Sequence, residues 1–170
     1  ISKMNFENSN TPIVRTFNLP RIPIKSICQD QSFNIEACFS TSRPQNAFIL
    51  GPRGSGKTTT CLGYIQFRKF NNNQVIVYLN ADKPDKLDYE YRQFAFELLL
   101  DLKSIYKLRQ DELVKFVNEK LRNHNILYIF ENVQNLDDLK AYFPINNSNK
   151  NADTTLNQTN RQIQTIITSS

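Results

Sequence analysis

Short apolar runs alternate with longer amphipathic segments along most of the chain. Four runs predict buried strands: NAFIL (46–50), QVIVYLN (74–80), NILYIF (125–130) and IQTIIT (163–168). The first three runs contain uninterrupted apolar stretches (AFIL, VIVYL and ILYIF) instead of an alternating pattern, which is typical of parallel strands covered on both faces. The alternation predicts βαβ units and a parallel sheet, and thus an α/β fold.

The segments between the runs carry apolar residues at helical spacing. They predict helices over 57–70, 87–106 and 111–122, a short helix over 136–142, and a less regular one over 27–40. The stripe from Leu87 to Tyr106 is interpreted as core packing. Residues 1–44 form a lead-in whose first 25 residues are polar and irregular, and 45–170 form the domain. Residues 146–160, rich in Asn, Thr and Ser, are expected to be a surface loop or a disordered insert.

Glycine is concentrated at one point of the chain. Of its 4 glycines, three lie between the first predicted strand and the helix after it. The segment GPRGSGKT fits the pattern G-x-x-x-x-G-K-[ST] at every fixed position. Its residues are Gly51, Pro52, Arg53, Gly54, Ser55, Gly56, Lys57 and Thr58. Such a loop predicts a phosphate cradle, because glycine permits positive φ and backbone N–H groups then converge on an anion.

The residues after the last glycine supply the remaining phosphate and metal chemistry. Lys57 is expected to reach the β- and γ-phosphates, the Thr58 hydroxyl to bind Mg²⁺, and Thr59 to touch the α-phosphate. The helix that starts here adds partial positive charge at its N-terminus. Arg53, at a variable position, is expected to face solvent. The motif predicts a P-loop NTPase fold of three layers that binds ATP or ADP with Mg²⁺, although no residue pattern distinguishes ATP from GTP.

A second acidic site is expected at the end of the third apolar run. Glu131 follows LYIF directly and is the candidate Mg²⁺ ligand and, with Lys57, the candidate catalytic residue. Asn132 follows where vigorous ATPases of the additional-strand class commonly carry a glutamate base, and an amide cannot accept the proton. Thr168 and Ser169 are either sensors of the γ-phosphate or ordinary polar residues at a strand end.

Taken together, these segments resemble the NB-ARC domain of STAND NTPases, particularly those coupled to tetratricopeptide repeats. Besides the phosphate loop, the resemblance rests on FNLP (17–20), VIVYLNAD (75–82), FAFELL (94–99), LYIFENV (127–133), LDDLKAYFP (136–144) and TIITSS (165–170). The chain departs from the family at Glu131, where Asp is usual, and at Ser170, where Arg is frequent. No GRE-like element is recognisable over 27–36.

The resemblance implies an additional-strand sheet, with the last strand beside the phosphate-loop strand, in a domain truncated at its C-terminus. It also implies a switch that exchanges ADP for ATP, hydrolyses slowly at most, and self-associates on activation. Partners would be a winged helix and helical repeats of a longer chain. The main alternative is a working AAA+-like ATPase acting on nucleic acid or protein. A small-molecule kinase lacks an Arg-rich lid, and a module that has lost its nucleotide conflicts with the intact Lys57 and Thr58.

Composition and charge narrow these alternatives only slightly. The 170 residues include 39% hydrophobic side chains, enough for one core. No apolar run is long enough to cross a membrane and no signal peptide is visible. The 3 cysteines are odd in number and show no CxxC spacing, which together with the missing signal peptide favours a cytoplasmic location. The net charge of +5 comes from Lys and Arg spread along the chain, so a nucleic-acid partner is not expected.

Overall fold

The structure, a computed structural model, describes residues 15–21, 29–41, 45–68, 74–99, 105–142 and 162–169. The predicted insert over 146–160 lies outside these ranges. Five parallel strands form one sheet: β1 (Arg15–Phe17), β2 (Gln45–Leu50), β3 (Gln74–Asn80), β4 (Asn125–Glu131) and β5 (Ile163–Ser169). The α/β prediction and the parallel sheet are therefore confirmed.

The order of the strands in the sheet is β1-β3-β4-β5-β2. β5 lies between β2 and β4, and it pairs Ile49 of β2 with Thr168 and Ile129 of β4 with Ile166. This position confirms the additional-strand arrangement. The three strand ends Leu50, Glu131 and Ser169 therefore meet at one edge of the sheet, where ligands of open α/β sheets bind.

Within the described residues, four helices cover the faces of the sheet: α1 (Gln29–Thr41), α2 (Lys57–Phe67), α3 (Pro84–Leu99) and α4 (Gln110–Lys120). Alternate residues of the central strands β3 and β4 enter two separate cores. Ile76 and Tyr78 face α1 and α2, whereas Val75 and Val77 face α3 and α4. β3 is buried from Gln74 to Leu79 because helices lie on both sides of it.

Several predicted elements differ from the structure in their bounds or type. The helix predicted over 87–106 begins earlier, at Pro84, and ends at Leu99 before a gap in the described residues; Tyr106 lies in a turn. The helix predicted over 136–142 is a 3₁₀ turn over Leu136–Leu139. The lead-in contributes β1, which pairs with β3 and buries Phe17 against Phe94 at 5.3 Å between ring centroids. The interpretation of the stripe on α3 as core is confirmed, because Leu87, Tyr91, Phe94 and Ala95 are buried.

Candidate functional site

The phosphate loop spans residues 51–56, between the end of β2 and the first residue of α2. Gly54 and Gly56 have φ of 80° and 86°, the left-handed region that L residues rarely adopt. A Cβ added at either position would meet no heavy atom of the protein within 4 Å. The backbone conformation is therefore a sufficient reason for glycine at these two positions. Gly56 directly precedes α2, whose N-terminal N–H groups open toward the loop.

The ammonium of Lys57 is held at the loop by two backbone carbonyls. Its Nζ donates to the oxygen of Gly51 at 2.6 Å and to that of Pro52 at 2.9 Å. The helix N-terminus and this ammonium place two positive features at one loop. An anion such as a phosphate is the ligand that this electrostatic arrangement favours.

A cavity of about 440 Å³ opens beside the loop. It is lined by loop and helix residues and by the ends of β3 and β4: Arg53, Gly54, Ser55, Gly56, Lys57, Thr58, Thr59, Asp82, Asn132 and Gln134. Most of the predicted phosphate-binding residues are thus brought to one cavity. Gly51 and Pro52 instead line a second cavity of about 410 Å³ on the side of α1, which Ser55 and Lys57 also border. Arg53 is exposed, as expected.

The two predicted metal ligands are in direct contact, although 73 residues separate them in the sequence. The Thr58 hydroxyl donates to Glu131 Oε1, and the Tyr78 hydroxyl donates to Oε2 of the same carboxylate. A backbone bond of 2.7 Å from the N–H of Ala81 to the carbonyl of Glu131 extends the β3–β4 pairing at this edge. Thr58 and Glu131 therefore form a hydroxyl–carboxylate pair at the base of the phosphate loop.

This pair fits what Mg²⁺ requires from a protein. Hydroxyl and carboxylate oxygens are hard ligands, and Mg²⁺ is usually held by one or two carboxylates together with phosphates and water. In the part of the chain that the structure describes, no three His, Cys, Asp or Glu side chains gather as a metal site of their own. The arrangement thus suits a cation that arrives with a phosphate ligand.

Burial sets the protonation state of the groups around Glu131. It raises the pKa of the Tyr78 hydroxyl far above its usual range, and the hydrogen bond to Glu131 raises it further. Burial, which is the larger cause, and the negative charge of Glu131, which is the smaller one, raise the pKa of the Cys61 thiol to about 12. Both groups therefore stay protonated at neutral pH, and Tyr78 remains a hydrogen-bond donor.

The residue after Glu131 has an unusual backbone. Asn132 is exposed with φ of 61°, and its N–H donates at 3.1 Å to the hydroxyl of Thr168, which is buried. Ser169 Oγ donates at 2.7 Å to the carbonyl of Val133. Both sensor candidates thus bind the backbone that follows β4, and among the lining residues of the 440 Å³ cavity neither appears. Because both hydroxyls are engaged by backbone groups, these bonds favour the interpretation of Thr168 and Ser169 as ordinary polar residues at a strand end.

A family model described as AAA domain matches residues 40–167, three quarters of the chain. The chain belongs to the AAA domain family. The match covers β2, the phosphate loop, Glu131 and most of β5, so this is a P-loop nucleotide-binding domain of AAA type. No curated protein matches the sequence.

Three residues at the candidate site of this AAA domain were not predicted from the sequence. Asp82 and Gln134 follow β3 and β4 and line the cavity, and Tyr78 contacts Glu131. Asp82 carried a usable signal, because it lies just beyond an apolar run that predicts a strand of a parallel sheet. Tyr78 carried none, since its contact depends on the register of β3 and β4.

The AAA domain has no membrane-spanning candidate among its described helices. None of them is both long and apolar enough to cross a bilayer.

Proposed function

We propose that this AAA domain binds ATP or ADP with Mg²⁺ and acts as a regulatory nucleotide switch of the NB-ARC type, with slow or absent hydrolysis. The observation that carries the proposal is the contrast between Glu131 and Asn132. A complete phosphate loop, with Lys57 and the Thr58–Glu131 pair, stands beside an amide where a base would be needed. Binding groups are present, whereas the usual proton acceptor is missing.

Lys57 and Glu131 are assigned to the phosphates and the Mg²⁺ respectively, with Thr58 as the second metal ligand. Bound Mg²⁺ would neutralise phosphate charge. The nucleotide then serves as a label of state, and a ligand shifts such an equilibrium only by its differential affinity for the two states. In this proposal the state is read by other domains of a longer chain and by self-association on activation, as the family resemblance suggests.

Removal of the Lys57 ammonium tests the binding half of the proposal. We expect Lys57→Ala to abolish measurable binding of ADP and ATP in calorimetry, because it removes the charged group held at the loop. Lys115→Ala is the matched control, since Lys115 is an exposed lysine of α4 and its loss removes the same charge. Equal affinity of Lys57→Ala and wild type would refute the assignment.

A working ATPase is the second candidate, and one observation favours it. Asp82 lines the same cavity as Asn132, and a carboxylate there can accept the proton that an amide cannot. We expect steady-state phosphate release well below the roughly 1–10³ s⁻¹ typical of enzymes. Faster release that is lost in Asp82→Asn but kept in Asp85→Asn would establish the ATPase instead. Asp85 is a suitable control because it is an exposed aspartate in the first turn of α3, three residues away.

A further inference from the structure

Two hydroxyl groups from different elements bind the single carboxylate of Glu131. Thr58 on α2 donates to Oε1, and Tyr78 on β3 donates to Oε2. The first bond joins the two proposed metal ligands. The second comes from a residue that neither the phosphate-loop motif nor the family match assigns to the site.

The register of β3 and β4 places Tyr78 on the correct face to make this contact. Asn80 is the partner of Glu131 across the two strands, and Tyr78 is the partner of Ile129, two residues earlier. Side chains two positions apart on a strand share a face, so Tyr78 is the diagonal neighbour of Glu131. The hydrogen bond from the Tyr78 hydroxyl to Glu131 Oε2 shows that the tyrosine side chain spans this diagonal.

The tyrosine ring is itself immobilised. Tyr78 is 5% exposed and belongs to the core between the sheet and α1–α2, together with Leu127 and Ile129. A ring held by packing offers its hydroxyl at a fixed point, and little freedom is lost when the bond to Glu131 forms. Such support by a packed neighbour is what fixes a ligand's orientation in metal sites.

A glutamate needs this support more than an aspartate does. Glu131 has one more rotatable bond than the aspartate usual at this position, so its carboxylate can adopt more orientations. We infer that Tyr78 is the positioning residue that holds the Glu131 carboxylate toward Thr58 and the Mg²⁺ of a bound nucleotide. The inference rests on the proposed function, because it assumes that a Mg²⁺–nucleotide complex binds here.

The test separates the Mg²⁺-dependent part of nucleotide affinity from the rest. The affinity for a non-hydrolysable ATP analogue is measured by calorimetry with Mg²⁺ and with EDTA, for wild type and Tyr78→Phe. Removing a supporting hydrogen bond typically weakens metal affinity about 10- to 100-fold. We therefore expect Tyr78→Phe to lose a comparable part of the Mg²⁺-dependent gain, with the affinity in EDTA unchanged.

Tyr64→Phe is the matched control. Tyr64 lies in the same core, is 2% exposed, and also donates to a glutamate, at 2.7 Å to Glu36 Oε2. Glu36 is on α1, and neither residue lines the cavity at the phosphate loop. The control should leave both affinities unchanged, since it removes a Tyr–Glu bond without touching Glu131.

A second variant extends the test to the side chain of Glu131. Glu131→Asp restores the usual residue, whose side chain has one rotatable bond fewer and therefore needs less support. We expect the double variant with Tyr78→Phe to lose no more Mg²⁺-dependent affinity than Glu131→Asp alone. If Tyr78→Phe costs as much in the aspartate background as in the wild type, the inference is overturned, because the tyrosine then acts without the glutamate.

The outcomes distinguish the inference from the proposed function. Wild-type Mg²⁺ dependence in Tyr78→Phe, with binding lost in Lys57→Ala, overturns the role of Tyr78 and leaves the nucleotide site intact. An equal loss with Mg²⁺ and with EDTA also overturns it, because the tyrosine would then serve only the fold. Absence of nucleotide binding by the wild type overturns both.

Discussion

Gly56 offers a test of the phosphate loop in which the backbone is the only variable. It directly precedes α2 with φ of 86° and ψ of 15°. A Cβ at this position would have no heavy atom within 4 Å. Substitution therefore introduces no clash, and any cost must come from the left-handed conformation.

The expected cost follows from two opposing effects. An L residue in this region costs about 1–2 kcal/mol. Replacing glycine also restricts the unfolded chain, which stabilises the protein by about 0.4–1 kcal/mol. We expect Gly56→Ala to lower the free energy of unfolding by about 1 kcal/mol net. Gly56→Asn should cost less, because asparagine tolerates this region, and Gly56→Val more, because β-branched residues rarely adopt it.

Urea unfolding of the three variants measures this order, and ADP calorimetry shows whether the loop relaxes instead. A relaxed loop would preserve stability but reduce affinity, by about fivefold for each 1 kcal/mol. Ser55→Ala is the control, since Ser55 is an exposed neighbour without positive φ. We expect it to change the free energy of unfolding by less than about 0.5 kcal/mol. The conformational argument would be refuted if Gly56→Ala matched the wild type in both stability and ADP affinity. It would also be refuted if Gly56→Ala were more stable than Gly56→Asn.

Two further predictions concern the cores on either side of the sheet. Phe94→Ala should lower the free energy of unfolding by about 3–5 kcal/mol in urea titration, because the ring is fully buried against Phe17. Leu136→Ala is the control and should cost far less, because Leu136 is 51% exposed. Similar losses in the two variants would contradict the packing of Phe94. Cys61 should resist thiol labelling in the native state while exposed Cys38 reacts, as followed by peptide mass spectrometry. Because the folded pKa of Cys61 is raised from 9.0 to about 12, the unfolded state releases its proton first. Stability should therefore fall as pH rises between these values, and less so in Cys61→Ala.

The elements that could be predicted from the sequence are those whose pattern is local. The bounds of β3 agree with the apolar run over 74–80, and β4 extends its run by one residue to Glu131. β1 could not be predicted, because three residues of mixed polarity carry no period. The start of α3 at Pro84 had a signal in the preference of proline for the first helical turn.

The residues of the candidate site also fall into two groups, those that the sequence pattern could predict and those that it could not. The meeting of Thr58 and Glu131 could be expected, because the carboxyl ends of parallel strands share an edge with the phosphate loop. The placement of Tyr78 could not, because residues 75–79 are all buried and show no alternation of polar and apolar residues that would distinguish the two faces. Only the pairing of Tyr78 with Ile129 shows which face it occupies. The backbone conformation of Asn132 could not be predicted either. Its φ of 61° accompanies a hydrogen bond to Thr168 of β5, which is 36 residues away in the sequence.

The position of β5 has a consequence for the order of folding. Within the described residues β2 pairs with β5 alone, so the strand that carries the phosphate loop joins the sheet only through 163–169. At roughly 5–20 residues per second, a ribosome completes this strand on the order of ten seconds after β2. During that interval Leu50 and Phe48, exposed even in the finished fold, have no strand beside them. The nascent chain therefore carries an unpaired apolar strand until its last described segment emerges, and during this interval that strand is open to aggregation.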